Sequence, residues 1–352
     1  MFVPSWYEQE TDGRGITVWR MRHAHGGGLS QVYRDVTLVT ALDPDTSERV
    51  DETAWTGFAT SSSTQPSLMA GMLEDLAVLD GHRVLEVGTG TGYNTALLCA
   101  RLGDRRVYSV DIDPALVGAA RTRLARLGHA PSLVAGDGQD GHPSGGPFDR
   151  IIATCSVPRI PAAWIAQTRP GGLIVADLDC GVEGGLVRLT VEPDGTARGH
   201  FTRTAGRFMP ARTSATSYPS TERAPYAPET LTRPTAVGAA QIRSEYGFRL
   251  LLALSLTDAE LVYHLDDSGA MSLQLQTPDG SWARSPLADA TDRPATVTYG
   301  GTAELWQRVE ETWTWWTGQD RPDQTRYGVT REPDGRMYAW HAPTGRHWQL
   351  RA

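Results

Sequence analysis

Glu86, Gly88, Gly90 and Gly92 carry the most chemistry in this sequence. They lie in Val84–Leu98, VLEVGTGTGYNTALL, which reads as a buried strand, a glycine turn and the start of a helix. Glycines at alternate positions let the backbone pass close under a ligand where side chains would clash. A dinucleotide site wants G-x-G-x-x-G, with pyrophosphate on the helix N-terminus. Here the third glycine comes one residue early, and a carboxylate at position 86 would repel pyrophosphate. An acid there suits a ligand carrying an ammonium and a sulfonium, which is S-adenosylmethionine.

Two further acids stand where such a ligand needs them. Asp111 ends an alternating segment, Arg106–Ile112, roughly 20 residues after the glycine turn, where an acid at a strand end meets ribose hydroxyls. Asp113 followed by Pro114 reads as a helix cap with proline at the first helical position. Asp137-Gly138 ends a third strand. Asp137 there can take the adenine amino group or close an Asx turn.

These residues need strands to carry them. Arg150–Thr154 reads as a fourth strand, RPGGLIVADL as a turn and a fifth, and Pro193-Asp194-Gly195 as a hairpin turn. Strands alternating with helical segments imply an α/β fold with a doubly wound, Rossmann-like parallel sheet. Ligands in such sheets sit at the carboxyl ends of the strands. Glu86–Gly92, Asp111, Asp137 and Thr154–Ser156 all converge there.

The fourth strand ends in Ala153-Thr154-Cys155-Ser156-Val157-Pro158. It lacks the Asp/Asn-Pro-Pro-aromatic run of methyltransferases that modify bases, so no clamp for a flipped base is expected. No His–acid pair stands nearby as a general base. A carboxylate acceptor needs none, because it is already ionised at neutral pH. Positioning and desolvation then carry the transfer.

At this point the chain resembles the protein-L-isoaspartate O-methyltransferase family, from about Phe2 to Arg212. The resemblance rests on Phe2-Val3-Pro4, Val32-Tyr33-Arg34-Asp35, Ser63-Thr64-Gln65-Pro66-Ser67-Leu68-Met69, the glycine turn, VYSVDID, GDG, PFDRIIATCSVPRIP, RPGG and Arg207-Phe208-Met209-Pro210. It implies a class I methyltransferase sheet, S-adenosylmethionine and a carboxyl acceptor. By resemblance, Glu86, Gly88, Thr89, Gly90, Gly92, Tyr93, Asp111, Ile112, Asp137 and Gly138 hold the cofactor. Thr64, with Ser63 sharing the role, orients the acceptor carboxylate. Gln65, Pro66, Thr154, Phe208 and Met209 contact the substrate.

Three departures stand out. Thr64 replaces the family's serine. Met1 falls where the family has an N-terminal helical segment behind it, so that segment is expected to be trimmed or lost. About 140 residues follow the family's end. Together with SSSTQPSLM and Val32–Thr40, these resemble a branch encoded with ribosomally made peptides crosslinked by ATP-grasp ligases. That branch implies an aspartate of a cyclised precursor peptide as acceptor. Its ester closes to aspartimide with loss of methanol. Two alternatives share the fold: repair of isoaspartyl residues, and a non-catalytic escort for a precursor peptide.

Composition bounds the rest. The 352 residues carry 33 basic and 41 acidic side chains, a net charge of −8 without a basic block, which argues against nucleic acid as partner. No stretch reads as a membrane span or signal peptide, so a cytoplasmic protein is expected. Cys99, Cys155 and Cys180 are too far apart for a zinc pattern, and no metal is expected. Cys155 reads as a small buried residue near the crevice, and His23, His25 and the three glycines after them as a loop.

Domains are expected at 1–212, at 213–234 (a Ser/Thr/Pro-rich strap) and at 235–352, an α+β extension recognising the peptide. In the extension, Ser272–Thr277 reads as a strand, Gly301–Gly318 as a helix capped at Thr302, and two strands flank Pro333-Asp334-Gly335. Trp313 and Trp316 read as core. Trp306, Trp315 and Trp340 are open between core and a peptide-gripping surface.

Overall fold

The computed structural model describes residues 1–11, 17–25, 28–215, 224–266, 268–287, 295–302 and 304–351. The chain divides into two compact units: Met1–Asp177, Arg188–Gly195 and Thr204–Pro219 form the first, and Leu178–Val187, Thr196–Arg203 and Ser220–Ala352 the second. The division falls near the expected boundary at 212, but the second unit also takes in two short pieces from the expected first domain.

The first unit opens with strands β1 (Ser5–Thr11) and β2 (Thr17–His23), helix α1 (Leu29–Val32), and strands β3 (Leu38–Leu42), β4 (Ala54–Trp55) and β5 (Ala59–Ser63). They form an antiparallel sheet in the order β4-β2-β1-β3-β5. This sheet was not expected from the sequence. Its signal is alternation: Trp6, Glu8 and Glu10 share one face, and Val18, Arg20 and Arg22 lie opposite them on β2. Trp6 and Leu38 are buried on that face, and Val18 is buried at its other end. His23 ends β2, while the glycines at 26 and 27 lie outside the described residues.

Helix α2 (Pro66–Leu76) follows, with Pro66 in its first turn. Its N-terminus is capped from a distance: the Ser67 amide donates to Asp35 Oδ1 at 2.8 Å. Bonds from Ser67 and Gln65 hold the Asp35 carboxyl below its usual range.

Next come β6 (Val84–Val87), α3 (Tyr93–Leu102), β7 (Val107–Asp111), α4 (Pro114–Ala125), β8 (Ser132–Ala135), β9 (Phe148–Val157), α5 (Ala162–Gln167) and β10 (Thr168–Asp179). The strand order is β10-β9-β6-β7-β8, and β6 pairs in parallel with both β7 and β9. This is the expected doubly wound α/β sheet. Val84, Leu85, Ile151 and Ile152 are fully buried, as strands covered on both faces require. Asp113 caps α4, accepting from the amides of Ala115 and Leu116.

β11 (Gly184–Val191) and β12 (Ala197–Phe201) flank the expected turn at Gly195. The second unit then adds β13 (Glu229–Pro234), α6 (Ala239–Ser244), α7 (Tyr246–Ser255), β14 (Glu260–Leu265), β15 (Met271–Gln276), β16 (Trp282–Pro286), β17 (Thr296–Gly300), α8 (Glu304–Gly318), β18 (Tyr327–Arg331), β19 (Met337–His341) and β20 (Arg346–Gln349). One sheet runs β13-β17-β16-β15-β14, and β18 pairs with β12 and β19.

The expected strap at 213–234 is only partly irregular. β13 occupies its end, because its residues pair with β17, and 216–223 lie outside the described residues. Thr302 Oγ1 accepts from the Glu304 amide at 3.2 Å, in keeping with a cap there. The tryptophans of this unit mostly pack inward. Trp282, Trp306, Trp316 and Trp348 are buried, and Trp313 lies against Phe248 with ring centroids 4.8 Å apart. Trp306 donates to Thr235 Oγ1, and half-buried Trp340 to Thr330 Oγ1. Trp315, also half-buried, sits edge-on to His341 and Trp348.

Candidate active site

The glycine turn after β6 is built on left-handed backbone. Gly88, Gly90 and Gly92 have φ of +96°, +51° and +84°, a region side chains resist. A Cβ on Gly88 would also stand 2.6 Å from Thr154 Oγ1, and one on Gly92 would stand 3.0 Å from Ala120 Cβ. Gly92 is therefore a packing residue that seats α3 against α4, and it does not line the cleft.

Glu86 lies beneath this turn and is 1 % exposed. Its Oε1 accepts from Asn94 Nδ2 at 2.8 Å, and its Oε2 accepts from Thr95 and from Ser109 at 2.5 and 2.8 Å. Burial pushes this carboxyl up to about 7, against the three bonds that favour its charged form. Glu86 thus ties β6 to the first turn of α3 and to β7. With both oxygens engaged, it acts on a ligand chiefly by holding the loop. Thr89 joins the same network, its hydroxyl 2.6 Å from Ser109 Oγ.

Asn94 was not singled out from the sequence. Its Oδ1 is buried and has no hydrogen-bond partner among the described residues. It lines a small recess with Ser63, Thr64, Glu86, Gly88, Tyr93 and Thr154. An orphaned acceptor beside a buried carboxylate is a seat for an ammonium group.

The main cleft opens beside this recess. Its walls include Thr64, Gly88, Gly90, Asp111, Ile112, Gly138, Thr154, Phe208 and Met209, all expected from the sequence. Asp111 Oδ2 accepts from the Gly90 amide at 2.7 Å, and Oδ1 from the Asp113 amide at 3.1 Å. Burial raises its carboxyl above the usual range, opposed by those two amides. Each oxygen keeps lone-pair capacity for a hydroxyl donor. Val110, Ile112, Leu116 and Trp164 give an apolar wall fit for a flat ring. Trp164 is fully buried and donates to Gly138 O at 2.8 Å. A Cβ on Gly138 would stand 2.4 Å from Val87, so only glycine fits there.

Other expected residues are placed differently. Asp137 closes the Asx turn, accepting from the Gln139 amide at 2.8 Å, while Gly138 and Gln139 form the wall. Gln65 turns to Asp35 and Ser67, and Pro66 starts α2; neither lines the cleft or the recess. The Tyr93 ring touches the recess but packs edge-on to Phe2, centroids 5.5 Å apart. Thr154 lines the cleft, yet its hydroxyl donates to the carbonyls of Gly88 and Val87 at 2.8 and 3.2 Å. It latches the loop to β9. Thr154→Val is expected to weaken cofactor binding roughly fivefold, the value of about one hydrogen bond, with little change in melting temperature. Titration calorimetry on the folded variant checks this.

Thr64 lines both cleft and recess, and no described group hydrogen-bonds its hydroxyl. Ser63 lines the recess but not the cleft, Ser61 the cleft, and Ser62 both. Cys155 also lines the cleft; burial pushes its thiol up to about 12, which disfavours the thiolate near neutral pH.

Residues 207–212 close one side. Ser156 N donates to Met209 O, and Ala211 N donates back to Ser156 O, at 2.9 and 2.8 Å. Phe208 N and Arg207 Nε both donate to fully buried Asp177 at 2.8 and 3.2 Å. Arg212 lines the cleft near enough to Asp111 for its charge to favour the carboxylate. Away from the cleft, Cys99, Asp104 and His129 bring ligand-type atoms within 4.8 Å of one another, a grouping their sequence spacing does not suggest.

The site fits S-adenosylmethionine: an orphaned acceptor for its ammonium, an acid for ribose and an apolar wall for adenine. Among the described residues no helix is long and apolar enough to cross a membrane.

Comparison with known proteins agrees. The sequence profile of the protein-L-isoaspartate(D-aspartate) O-methyltransferase family matches residues 45–213. A protein-L-isoaspartate O-methyltransferase of Anaeromyxobacter dehalogenans (strain 2CP-1) is 48 % identical over 121 residues, which are 34 % of this chain and 56 % of that protein. The chain thus spans little more than half the length of that relative. Protein-L-isoaspartate O-methyltransferase 1 of Anaeromyxobacter sp. (strain Fw109-5) is 43 % identical over 149 residues, 42 % of this chain and 68 % of that protein. A solved protein-L-isoaspartate O-methyltransferase superposes with a TM-score of 0.49 at 20 % identity, over 88 % of this chain and 87 % of that one, too loosely to carry weight. The chain belongs to the protein-L-isoaspartate O-methyltransferase family.

Proposed function

We propose that this chain is an S-adenosylmethionine-dependent O-methyltransferase that esterifies a side-chain carboxylate of a peptide. The observation that carries this reading is the free Thr64 hydroxyl at the junction of cleft and recess. S-adenosylmethionine supplies an electrophilic methyl group, which passes to a carboxylate oxygen as its bond to sulfur breaks and the sulfonium becomes a neutral thioether. Asn94 Oδ1 accepts from the ammonium, Asp111 from the ribose, and Gly138 and Trp164 shape the adenine wall. Thr64 donates to the acceptor carboxylate and fixes which oxygen faces the methyl group. Arg212 draws an anion into the cleft. No proton needs to move, because the acceptor is already ionised.

Sulfonium and carboxylate neutralise each other as transfer proceeds, so a charged site gains nothing in the transition state. Positioning must supply most of the rate. Thr64→Val is therefore expected to lower kcat/KM roughly tenfold to a hundredfold while leaving cofactor affinity unchanged. Full turnover in that variant would remove the role given to the hydroxyl.

The finer reading is a cytoplasmic enzyme acting on an aspartate in a cyclised precursor peptide crosslinked by an ATP-grasp ligase. The next backbone nitrogen then attacks the ester. Its proton leaves with methoxide as methanol, and aspartimide remains. Support comes from the parts beyond the family match at residues 45–213: the first three strands of the N-terminal sheet, within residues 5–42, and the described residues of the second unit from 224 onward. Repair of isoaspartyl residues is the second reading, favoured by what the relatives are named for.

Intact-mass measurement on three synthetic acceptors separates these readings: a side-chain-crosslinked ring peptide holding aspartate, its linear form, and an isoaspartyl peptide. Methyl gain followed by methanol loss on the ring alone supports peptide maturation. Transfer mainly to the isoaspartyl peptide supports repair. Failure on all three removes the proposal.

A further inference from the structure

The N-terminal sheet has two chemically different faces. One carries the charges: Arg20 pairs with Glu10 and Asp51 at 2.8 and 3.4 Å, and Arg22 with Glu8 at 2.8 Å. The same face supplies the buried residues Trp6, Val18, Leu38 and Ala54. The other face carries Tyr7, Gln9, Trp19, Met21 and Trp55, with no charged strand residue among them. Directly paired residues share a face. Tyr7 pairs with Met21 and with Val39, and Trp19 pairs with Gln9 and with Trp55.

The aromatic residues here are surplus to the sheet's core. Tyr7, Trp19, Met21 and Trp55 are all half-buried, and no described helix lies along β1, β2 or β4. The Tyr7 and Trp55 rings meet edge to face with centroids 5.7 Å apart, so the apolar surface is continuous across three strands. Arg49 stands over Trp55 at its far edge, 5.9 Å from the ring. At its near edge this face becomes the cleft wall, because Val39, the partner of Tyr7, lines the cleft with Thr37 and Ser62.

We infer that this uncharged aromatic face is a docking shelf for apolar side chains of the peptide substrate, next to the carboxylate that enters the cleft. The inference rests on the peptide-carboxylate reading above. Continuity with the cleft names the occupant: a peptide whose carboxylate lies inside must leave along a wall, and this wall leads onto the shelf. Strands lie ~4.8 Å apart and an extended peptide advances ~3.3 Å per residue. The shelf from Tyr7 to Trp55 therefore serves residues roughly two to four positions from the acceptor. The preferred substrate carries an uncharged, bulky residue there.

The test uses the full chain and synthetic peptides with one acceptor in a serine-glycine background, each made both as a linear isoaspartyl peptide and as a side-chain-crosslinked ring holding aspartate. One set carries two leucines two and three positions away, on either side; the control carries serines. The wild type is expected to show a KM roughly tenfold lower for one leucine peptide, as partial burial of two leucines allows. Trp55→Gln and Met21→Gln should each erase that preference while kcat and the KM for S-adenosylmethionine stay unchanged. Thermal melting confirms that each variant is folded, and either one suffices. Equal KM values in the wild type, or a preference surviving in the folded variants, overturn the shelf. A wild-type dimer that Trp55→Gln converts to monomer in light scattering gives the face to a second copy and also overturns it. No transfer from the wild type to any peptide refutes the carboxylate reading itself, and the shelf falls with it.

Discussion

Glu86→Leu is expected to destabilise the first unit by about 3–5 kcal/mol, enough to lower its melting temperature by roughly 10 °C. Three donors, from Asn94, Thr95 and Ser109, converge on this carboxylate in a site that is 1 % exposed. Leucine fills the volume and leaves all three unpaired. Glu86→Gln should be far milder, since the hydroxyls of Thr95 and Ser109 can rotate to accept from the new amide. The two variants also differ in pH response. Burial raises the Glu86 carboxyl from 4.5 to about 7, so the folded state holds its proton more tightly than the unfolded chain. That contribution is fully present below about pH 4.5 and is lost as pH rises to about 7, on the order of 3 kcal/mol in all. Glu86→Gln removes this slope. Urea midpoints of wild type and variant should therefore converge towards pH 5 and separate by pH 8, with the variant favoured. Parallel curves would contradict the buried-carboxylate account.

Asp111→Ala should abolish useful cofactor binding while leaving the protein folded. The side chain latches the Gly90 amide at 2.7 Å, and in the proposed role it also accepts from the ribose. Two charge-assisted bonds are worth about 3 kcal/mol, or roughly a hundredfold in Kd for S-adenosylhomocysteine. Asp111→Asn keeps one acceptor and should fall between. Calorimetric titration reads both. A loss below threefold for the alanine variant would mean that the ribose lies elsewhere.

The cofactor half was legible because its residues have few substitutes. Left-handed turns call for glycine at positions 88, 90 and 92, and an acid at a strand end after a buried run marks Asp111. What the sequence concealed depends on tertiary neighbours. Asn94 matters because Glu86 takes its amide group and leaves its oxygen orphaned. Trp164 matters because its indole reaches Gly138. Gln65 and Pro66 sit beside Thr64 in sequence but point away from the cleft, since Asp35 draws Gln65 and Ser67 into a helix cap. Resemblance directed attention to a lost helix at the N-terminus, while the alternation of charges at 8 and 10 against 20 and 22 was already a strand signal. In the extension, β13 was hidden because its pairing partner β17 lies far along the chain. The tryptophans there gave no sign of their direction, and most turned inward.

The most direct test of the central claim is the chemical nature of the methylated product. The full chain is incubated with S-adenosylmethionine carrying a labelled methyl group and with an isoaspartyl peptide or an aspartate-containing ring peptide. The product is then exposed to mild alkali. Label that enters the peptide and returns as volatile methanol is the expected result, because only a methyl ester releases the methyl group this way, by hydrolysis or by closing to aspartimide. Label that stays on the peptide through alkali would place the methyl on nitrogen or sulfur and contradict the carboxylate account.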